Sequence, residues 1–417
     1  MLFDLAIWAI AAMATWGVIA RPWNSPEFAW ATTGAAMLVL FHLLPWREAV
    51  AAVDKGIDVY LFLTGMMLLS EVARKEGLFD WLAIQAVRHA RGSSKRLFLI
   101  IFVVGILVTV FLSNDAAAVV MTPAVYATTR AAQIEPIPYL FICAFVANAA
   151  SFVLPIANPA NLVVFNGQMP ALSEWLRYFA VPSLVAILAT YVVLRLMQRP
   201  ASDVKVAAIT NALPLKLGGK LAAIGIALTV VLLLSASAFD RPLGIPAFFA
   251  GASLTAIVLV TARKSPLAIL GDISWSVLPL VAGLFVVVAG LNRTGVLSAL
   301  ARNLHDAAAA SPQATSWAAG IVVAVASNLV NNLPVGLIAA ATSQTAGVSP
   351  QVLGAILIGV DLGPNLSVTG SLATVLWLMA LRREGLDVTP FRFLRYGFLV
   401  MPPALVLSLL ALSVFPP

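Results

Sequence analysis

Charged residues are scarce in this chain: 10% of its 417 residues, against 61% apolar, with a mean hydropathy of +0.98. A soluble domain carries about a quarter charged residues, so this composition excludes a water-covered surface. Apolar runs of spanning length recur from Leu2 to Val414, which defines a polytopic membrane protein with no room for an extramembrane domain. Cysteine is almost absent. The single Cys143 excludes an internal disulfide and a multi-thiolate metal site. The three histidines, His42, His89 and His305, lie far apart and form no ligand-spaced pair. The chain has no His-Glu-x-x-His zinc pattern, no Ser–His pairing at depth and no nucleotide-binding motif, so an intramembrane enzyme lacks its chemistry. Nothing requires a cofactor. The formal charge of +7 reads as loop orientation in a lipid bilayer rather than nucleic-acid binding. The first apolar run, Leu5 to Ala20, lacks a basic leader and carries Asp4 before it, so it reads as a retained span.

What is present is an internal repeat. Arg21-Pro22 returns as Arg241-Pro242, 220 positions later. Gly65 to Ala83 aligns with Gly283 to Ala301 at an offset of 218, and Asn114-Asp115 with Asn331-Asn332 at 217. PIANPANLVV from Pro155 returns as SVTGSLATVL from Ser367 at 212. Four matches in order at nearly constant offset divide the chain into a first repeat, 1–204, a cytoplasmic linker, 205–220, and a second repeat, 221–417.

In the first repeat, Phe3–Ala20, Glu27–Leu44 and Ile57–Ala73 are long enough to span, and the amphipathic Leu78–Ala90 suits an interfacial helix. Leu97 to Thr129 is too long for one span and too short for two, and Ser113-Asn114-Asp115 breaks it. The arm Leu97–Leu112 gives about 24 Å of helix, less than the roughly 30 Å hydrocarbon core, which predicts a re-entrant hairpin with the polar triplet at mid-depth. Pro138–Ile156 breaks at Asn158-Pro159-Ala160-Asn161 and continues as a half-helix, and Trp175–Met197 closes the repeat. The expected fold is therefore an all-α integral membrane protein of two inverted repeats. Each has five transmembrane helices plus one re-entrant helical hairpin, with broken helices at mid-membrane. An odd span count inverts the second repeat. With both termini outside, 19 Lys and Arg fall on the cytoplasmic side and 6 outside, as the positive-inside rule requires.

No Lys or Arg falls in a predicted span core, and two acidic residues fall deep: Asp115 at the first hairpin tip and Asp361 beside the second broken helix. An ionisable group in hydrocarbon is a functional-site hypothesis by default. The alternative for Asp115 is that it caps the returning helix. Around these carboxylates stand Asn114, Asn331 and Asn332 at the tips and Asn158, Asn161, Thr369 and Ser371 at the breaks, with Asn148 and Asn365 upstream. Half-helices starting there aim N–H groups at the bilayer centre; the alternative is interhelical amide glue. Such a cavity has no cation for a dicarboxylate or phosphate, and Asp115 would repel one. A neutral polyhydroxyl solute or a small cation fits better. Asp115, with Asp361 second, is the candidate for proton exchange, because burial penalises a carboxylate's charge.

The strings FLSNDAAAVVMTPAV (Phe111–Val125), ASFVLPIANPANLVVFN (Ala150–Asn166), SNLVNNLP (Ser327–Pro334) and GPNLSVTGSLATVLW (Gly363–Trp377) resemble the arsenite-efflux permease family, ArsB type, of the ion transporter superfamily. The resemblance runs through essentially the whole chain. It implies a secondary active transporter of a bacterial cytoplasmic (inner) membrane that exports As(OH)3 and Sb(OH)3 in exchange for protons. Some relatives also couple to a soluble ATPase subunit. One cysteine cannot supply the two or three soft ligands that hold arsenic as a thiolate complex, so amides and hydroxyls would bind the hydroxide weakly and reversibly. The same fold also leaves open a sodium/proton antiporter or an organic-acid transporter.

Overall fold

The computed structural model describes residues 2–165, 169–197, 214–263 and 265–415. Among them every regular element is helical, with no strand. The first ten α-helices are α1 (Leu2–Ala20), α2 (Glu27–Leu40), α3 (Trp46–Asp54), α4 (Ile57–Lys75), α5 (Leu78–Ala90), α6 (Ser94–Phe111), α7 (Met121–Ala131), α8 (Ile137–Ala149), α9 (Pro159–Phe165) and α10 (Leu172–Met197). The next ten follow the same order: α11 (Leu217–Ala238), α12 (Gly244–Ala262), α13 (Leu267–Leu270), α14 (Val277–Arg293), α15 (Val296–Ala310), α16 (Pro312–Val330), α17 (Asn332–Ala346), α18 (Pro350–Leu362), α19 (Leu372–Arg383) and α20 (Pro390–Val414). Seven described helices are long and apolar enough to cross a membrane, or up to nine if bent pairs count as single spans.

Local sequence chemistry sets the boundaries. Ser311-Pro312, Ser349-Pro350 and Thr389-Pro390 each place a hydroxyl N-cap before a proline at the first helical position. Gly77 and Gly295, 218 positions apart, hold left-handed φ of 73° and 76° between α4 and α5 and between α14 and α15. At the second of these corners the chain bends by 77°, so α15 leaves the line of α14.

The halves interlock. α4 packs on α12, α2 on α14 and α10 on α20. Exchanging the halves maps the first pair onto the second and the third onto itself. Glycine permits the close approach: a Cβ on Gly65 would lie 2.1 Å from the Ala247 carbonyl oxygen, and one on Gly283 would lie 2.7 Å from the Ala31 backbone.

Several boundaries differ from expectation. α3 and α13 were not anticipated; both are short, and α3 has a buried side of Ala49 and Ala52 under charged neighbours. α2 stops at Leu40 rather than Leu44. The hairpin arm α6 is 18 residues rather than sixteen, because Ser93 caps it three residues early by accepting from Arg96 N–H. α8 ends at Ala149, seven residues before Ile156, and the break runs from Ala150 to Asn158. Of the expected linker 205–220, residues 205–213 lie outside the described residues, and from Leu217 the chain is already α11.

Candidate functional site

At the first tip the chain leaves α6 and re-enters helix through a π-helical turn over Ala116–Val120, a distortion that recurs at functional sites. The N–H groups here are served by neighbours of Asp115. Ser113 Oγ accepts from Ala116 N–H at 3.2 Å, and Asn114 Oδ1 accepts from Asp115 N–H at 2.9 Å. The Asp115 side chain caps no N–H of the turn it begins. Its carboxylate lines a cavity instead.

At the second tip Asn331 has φ 72° and ψ 151°, a region that is costly for a residue with a side chain. Its Oδ1 accepts from Leu333 N–H at 3.2 Å, and its Nδ2 donates to the Thr369 carbonyl at 3.4 Å. In the first break, Asn158 Oδ1 accepts from Ala160 N–H and Asn161 Nδ2 donates to the Ser151 carbonyl at 2.9 Å. In the second break, Ser371 forms a reciprocal capping box with Thr374 at the start of α19.

The two breaks are bonded to each other. Asn158 Nδ2 donates to Asp361 Oδ1 at 2.7 Å. Asn148 Nδ2 donates to Asn365 Oδ1 at 3.0 Å, and Asn365 Nδ2 to the Phe145 carbonyl at 3.1 Å. Asn148 and Asn365 are 217 positions apart, the repeat offset of the tips, so each amide bonds its own equivalent. For these two, the amide-glue reading is the one the geometry supports.

A small pocket joins the clusters. Asn114 and Asp115 come from the first tip, Asn158 from the first break, Asn332 from the second tip, and Ser371 from the start of α19; Leu63 and Val277 wall it. Asn331 and Thr369 line an adjoining small cavity that also meets Glu27. Asn161 and Asp361, both wholly buried, line neither and brace the breaks from behind. The pocket, about 20 Å³, shares Leu63, Asp115, Pro159 and Val277 with a cavity of about 640 Å³ between α4, the first tip and α19.

The far end of that cavity carries charge, which corrects the expectation of a cavity without cations. Arg74 and Arg383 line it. Each stands eleven residues, about 16 Å of helix, from a residue of the small pocket: Arg74 from Leu63 and Arg383 from Leu372. Arg74 donates to both Glu71 oxygens, at 2.9 and 2.5 Å, and to Asp272 Oδ2 at 2.9 Å, and Lys75 pairs with the same Asp272. Lys75 and then Arg74 hold the Asp272 carboxyl below its ordinary range. Within the small pocket itself, no lining residue is basic.

Sequence reasoning passed over Ser151, Ser367 and Asn328. Ser367 sits within the quoted GPNLSVTGSLATVLW string, and Asn328 within SNLVNNLP. No helical or capping pattern marks either one, because their partners lie 35 to 41 residues away or close a local turn. Glu71 was placed at a span end, yet it is 7% exposed, and its charge is met by Arg74 one turn on.

A helical bundle with seven to nine apolar helices of spanning length among the described residues, and a polar pocket at two helix breaks, define a polytopic membrane transporter. A family model described as citrate transporter, CitMHS, matches residues 12–359, and the chain belongs to that family. The arsenical pump membrane protein of Escherichia coli is 27% identical over 360 residues, covering 84% of each chain. That of Yersinia enterocolitica is 29% identical over 368 residues, again 84% of each. The crystal structure of the YdaH transporter of Alcanivorax borkumensis matches 100% of this chain and 99% of that one, at TM-score 0.62 and 16% identity, a likeness of fold.

Proposed function

We infer that this transporter exports neutral trivalent metalloid hydroxides, arsenite and antimonite, in exchange for protons by alternating access between two inverted repeats. The observation that carries this reading is the small pocket. Both tips and both breaks meet there around one carboxylate, with amides and hydroxyls and no cation. A tricarboxylate would face Asp115 with no partner for its charge, and a charge at depth needs one. As(OH)3 carries three hydroxyls that donate and accept, which suits Asn114, Asn158, Asn332 and Ser371, with Asn331 and Thr369 beside them.

The proton follows from the energetics. Export of a neutral solute against its gradient needs an input, and Asp115 is the carboxyl that reaches both pocket and cavity. It takes a proton from outside, where substrate is released. It gives that proton up toward the cytoplasm, where substrate binds the same amides. Asp361 is the second candidate. A soluble ATPase subunit is not needed for this exchange and would be an added partner. The names of the arsenical pump relatives agree with the substrate, and the inner membrane of a bacterium is the setting they imply.

The organic-acid reading has one observation in its favour, Arg74 and Arg383 on the cavity wall. A single experiment separates the readings. Everted vesicles are assayed for arsenic, citrate and sodium uptake, with and without an imposed pH gradient and Na+. Arsenite accumulation driven by the proton gradient and indifferent to Na+ is expected. Citrate uptake, or transport that requires Na+, would replace this reading with one of the others.

A further inference from the structure

Asn328 stands in α16, one turn before the second tip, and its side-chain amide is saturated. Nδ2 donates to the Ala324 and Gly363 carbonyls, both at 2.8 Å. Oδ1 accepts from Ser367 N–H at 3.0 Å and from Ser367 Oγ at 2.7 Å. Its own main-chain carbonyl accepts from Thr369 Oγ1 at 3.0 Å. An amide offers two donors and two acceptor positions, so none is left over. Four of the five bonded groups, on Gly363, Ser367 and Thr369, belong to the segment that carries the second break, in which Gly363–Asn365 and Val368–Gly370 are separate 3-10 turns. The position 217 residues earlier is Phe111, so the first half has no counterpart. Its break is gripped instead from α9, by Asn161 Nδ2 on the carbonyls of Ser151, Leu154 and Pro155.

We propose that Asn328 is a positioning residue that fixes the second break and thereby sets which hydrogen-bonding pole of Thr369 faces the ligand. Thr369 Oγ1 donates to the Asn328 carbonyl and Ser367 Oγ to Asn328 Oδ1, and the two hydroxyl oxygens lie 3.1 Å from each other, so this network takes up both hydroxyl hydrogens. Thr369 lines the small cavity with Asn331, and a hydroxyl whose hydrogen is engaged can only accept from a ligand there. A ligand group there must donate. A hydroxyl meets that demand, and an acceptor-only carboxylate does not. Selection by an unpaired polar group is steep, because the mismatched group loses its partner in a dry site. The break would thus discriminate against anions on the second-half side as Asp115 does on the first.

The ligand half of this inference rests on the proposed function, whereas the positioning half does not, and the test reads them separately. Purified wild-type protein, Asn328→Ala, Asn328→Asp and Thr369→Val are compared by backbone hydrogen exchange and by arsenite uptake kinetics in everted vesicles, normalised to membrane protein. Asn328→Ala should speed exchange across 363–371 and leave 150–161 unchanged. It should raise the apparent KM about tenfold, the equivalent of one lost hydrogen bond, with kcat largely kept. Asn328→Asp keeps both acceptor positions but sets a carboxylate oxygen against the Ala324 and Gly363 carbonyls, so it should loosen the break at least as much as Asn328→Ala. Thr369→Val should raise KM without altering exchange at 363–366. Unchanged exchange in Asn328→Ala would overturn the positioning role. A loss confined to kcat or to protein amount would overturn the ligand-facing role. If wild-type vesicles take up no arsenite, the proposed function fails, and the exchange arm still decides whether Asn328 holds the break.

Discussion

Asp115 and Asp361 carry the same carboxyl in opposite settings. Asp361 is wholly buried, with Oδ1 on Asn158 and Oδ2 without a hydrogen-bond partner among the described residues. Asp115 caps nothing and faces a cavity of about 640 Å³. Proton exchange needs a path to water, and of the two carboxyls Asp115 is the one that lines a cavity. Asp115→Asn keeps shape and removes the titrating group, so it should abolish efflux driven by a pH gradient while leaving measurable arsenite binding or exchange. Wild-type efflux under an imposed gradient would sink the assignment, and loss in Asp361→Asn alone would move the role there. Removing one polar partner in the pocket, as in Asn114→Ala, Asn158→Ala, Asn332→Ala or Ser371→Ala, leaves a substrate hydroxyl unpaired at about 1–3 kcal/mol. Each should weaken apparent affinity roughly five- to hundredfold. Indifference in all four would return these residues to helix glue. Cys143 is buried in α8, where a lone thiol behaves as a small hydrophobe. Cys143→Ser should keep most export, and complete loss at normal membrane level would bring back a thiol mechanism.

At the scale of elements, the α4–α12 contact is set by backbone against backbone. A side chain at Gly65 meets the Ala247 carbonyl, and one at Gly251 meets the Gly65 carbonyl at 2.4 Å. Neither helix can yield by turning a rotamer. Gly65→Val should therefore cost at least the 1–3 kcal/mol usual for overpacking, read as a lower melting temperature in detergent. Gly354→Ala, whose Cβ would meet only side chains at 3.5 Å or beyond, should change little; equal loss in both would refute the argument. Gly65 and Gly283 were legible as a repeat match, but their purpose was not, since a close approach between halves leaves no local pattern. The first tip was legible where a polar triplet interrupts an apolar run. The early end of α8 was not. Ala150 to Leu154 contain no proline or glycine, and the break is held by Asn161 from the next helix and by Ser151 Oγ on the Asn148 carbonyl. The small pocket was legible as four clusters of amides and hydroxyls at repeat-related positions. That Asn161 and Asp361 stand behind it depends on tertiary placement, which spacing along the chain does not encode.

For the whole molecule, sidedness is the property on which direction of transport depends. The Lys and Arg count expects Arg74 and Lys75 on the cytoplasmic side and Arg293 outside. The structure joins Arg74 and Lys75 to Asp272 and, separately, Arg293 to Glu48 at 2.7 Å. Tyr126, four residues before Arg130, donates through Oη to the carbonyl of Glu384, next to Arg383. Each of these contacts links the first half of the chain to the second. The ion pair on Asp272 is also insensitive to pH near neutrality. Its carboxyl is held below the ordinary value, so the pair persists above that value and is lost only as pH falls through the lowered one, below about 4. Asp272→Asn should accordingly leave the shape of the pH–transport profile between 5.5 and 8, a window set by physiological proton gradients, about the same as wild type. A shifted profile would make this pair part of the coupling. Sidedness itself is tested by cysteine labelling in the Cys143→Ser background. A cysteine in place of Lys205 or Arg74 should resist an impermeant reagent applied to intact cells, and one in place of Arg302 should react. If Arg74→Cys and Arg302→Cys exchange these behaviours, the cavity at Asp115 opens outward in this structure. The same geometry would then describe the state that takes up protons rather than the one that takes up substrate.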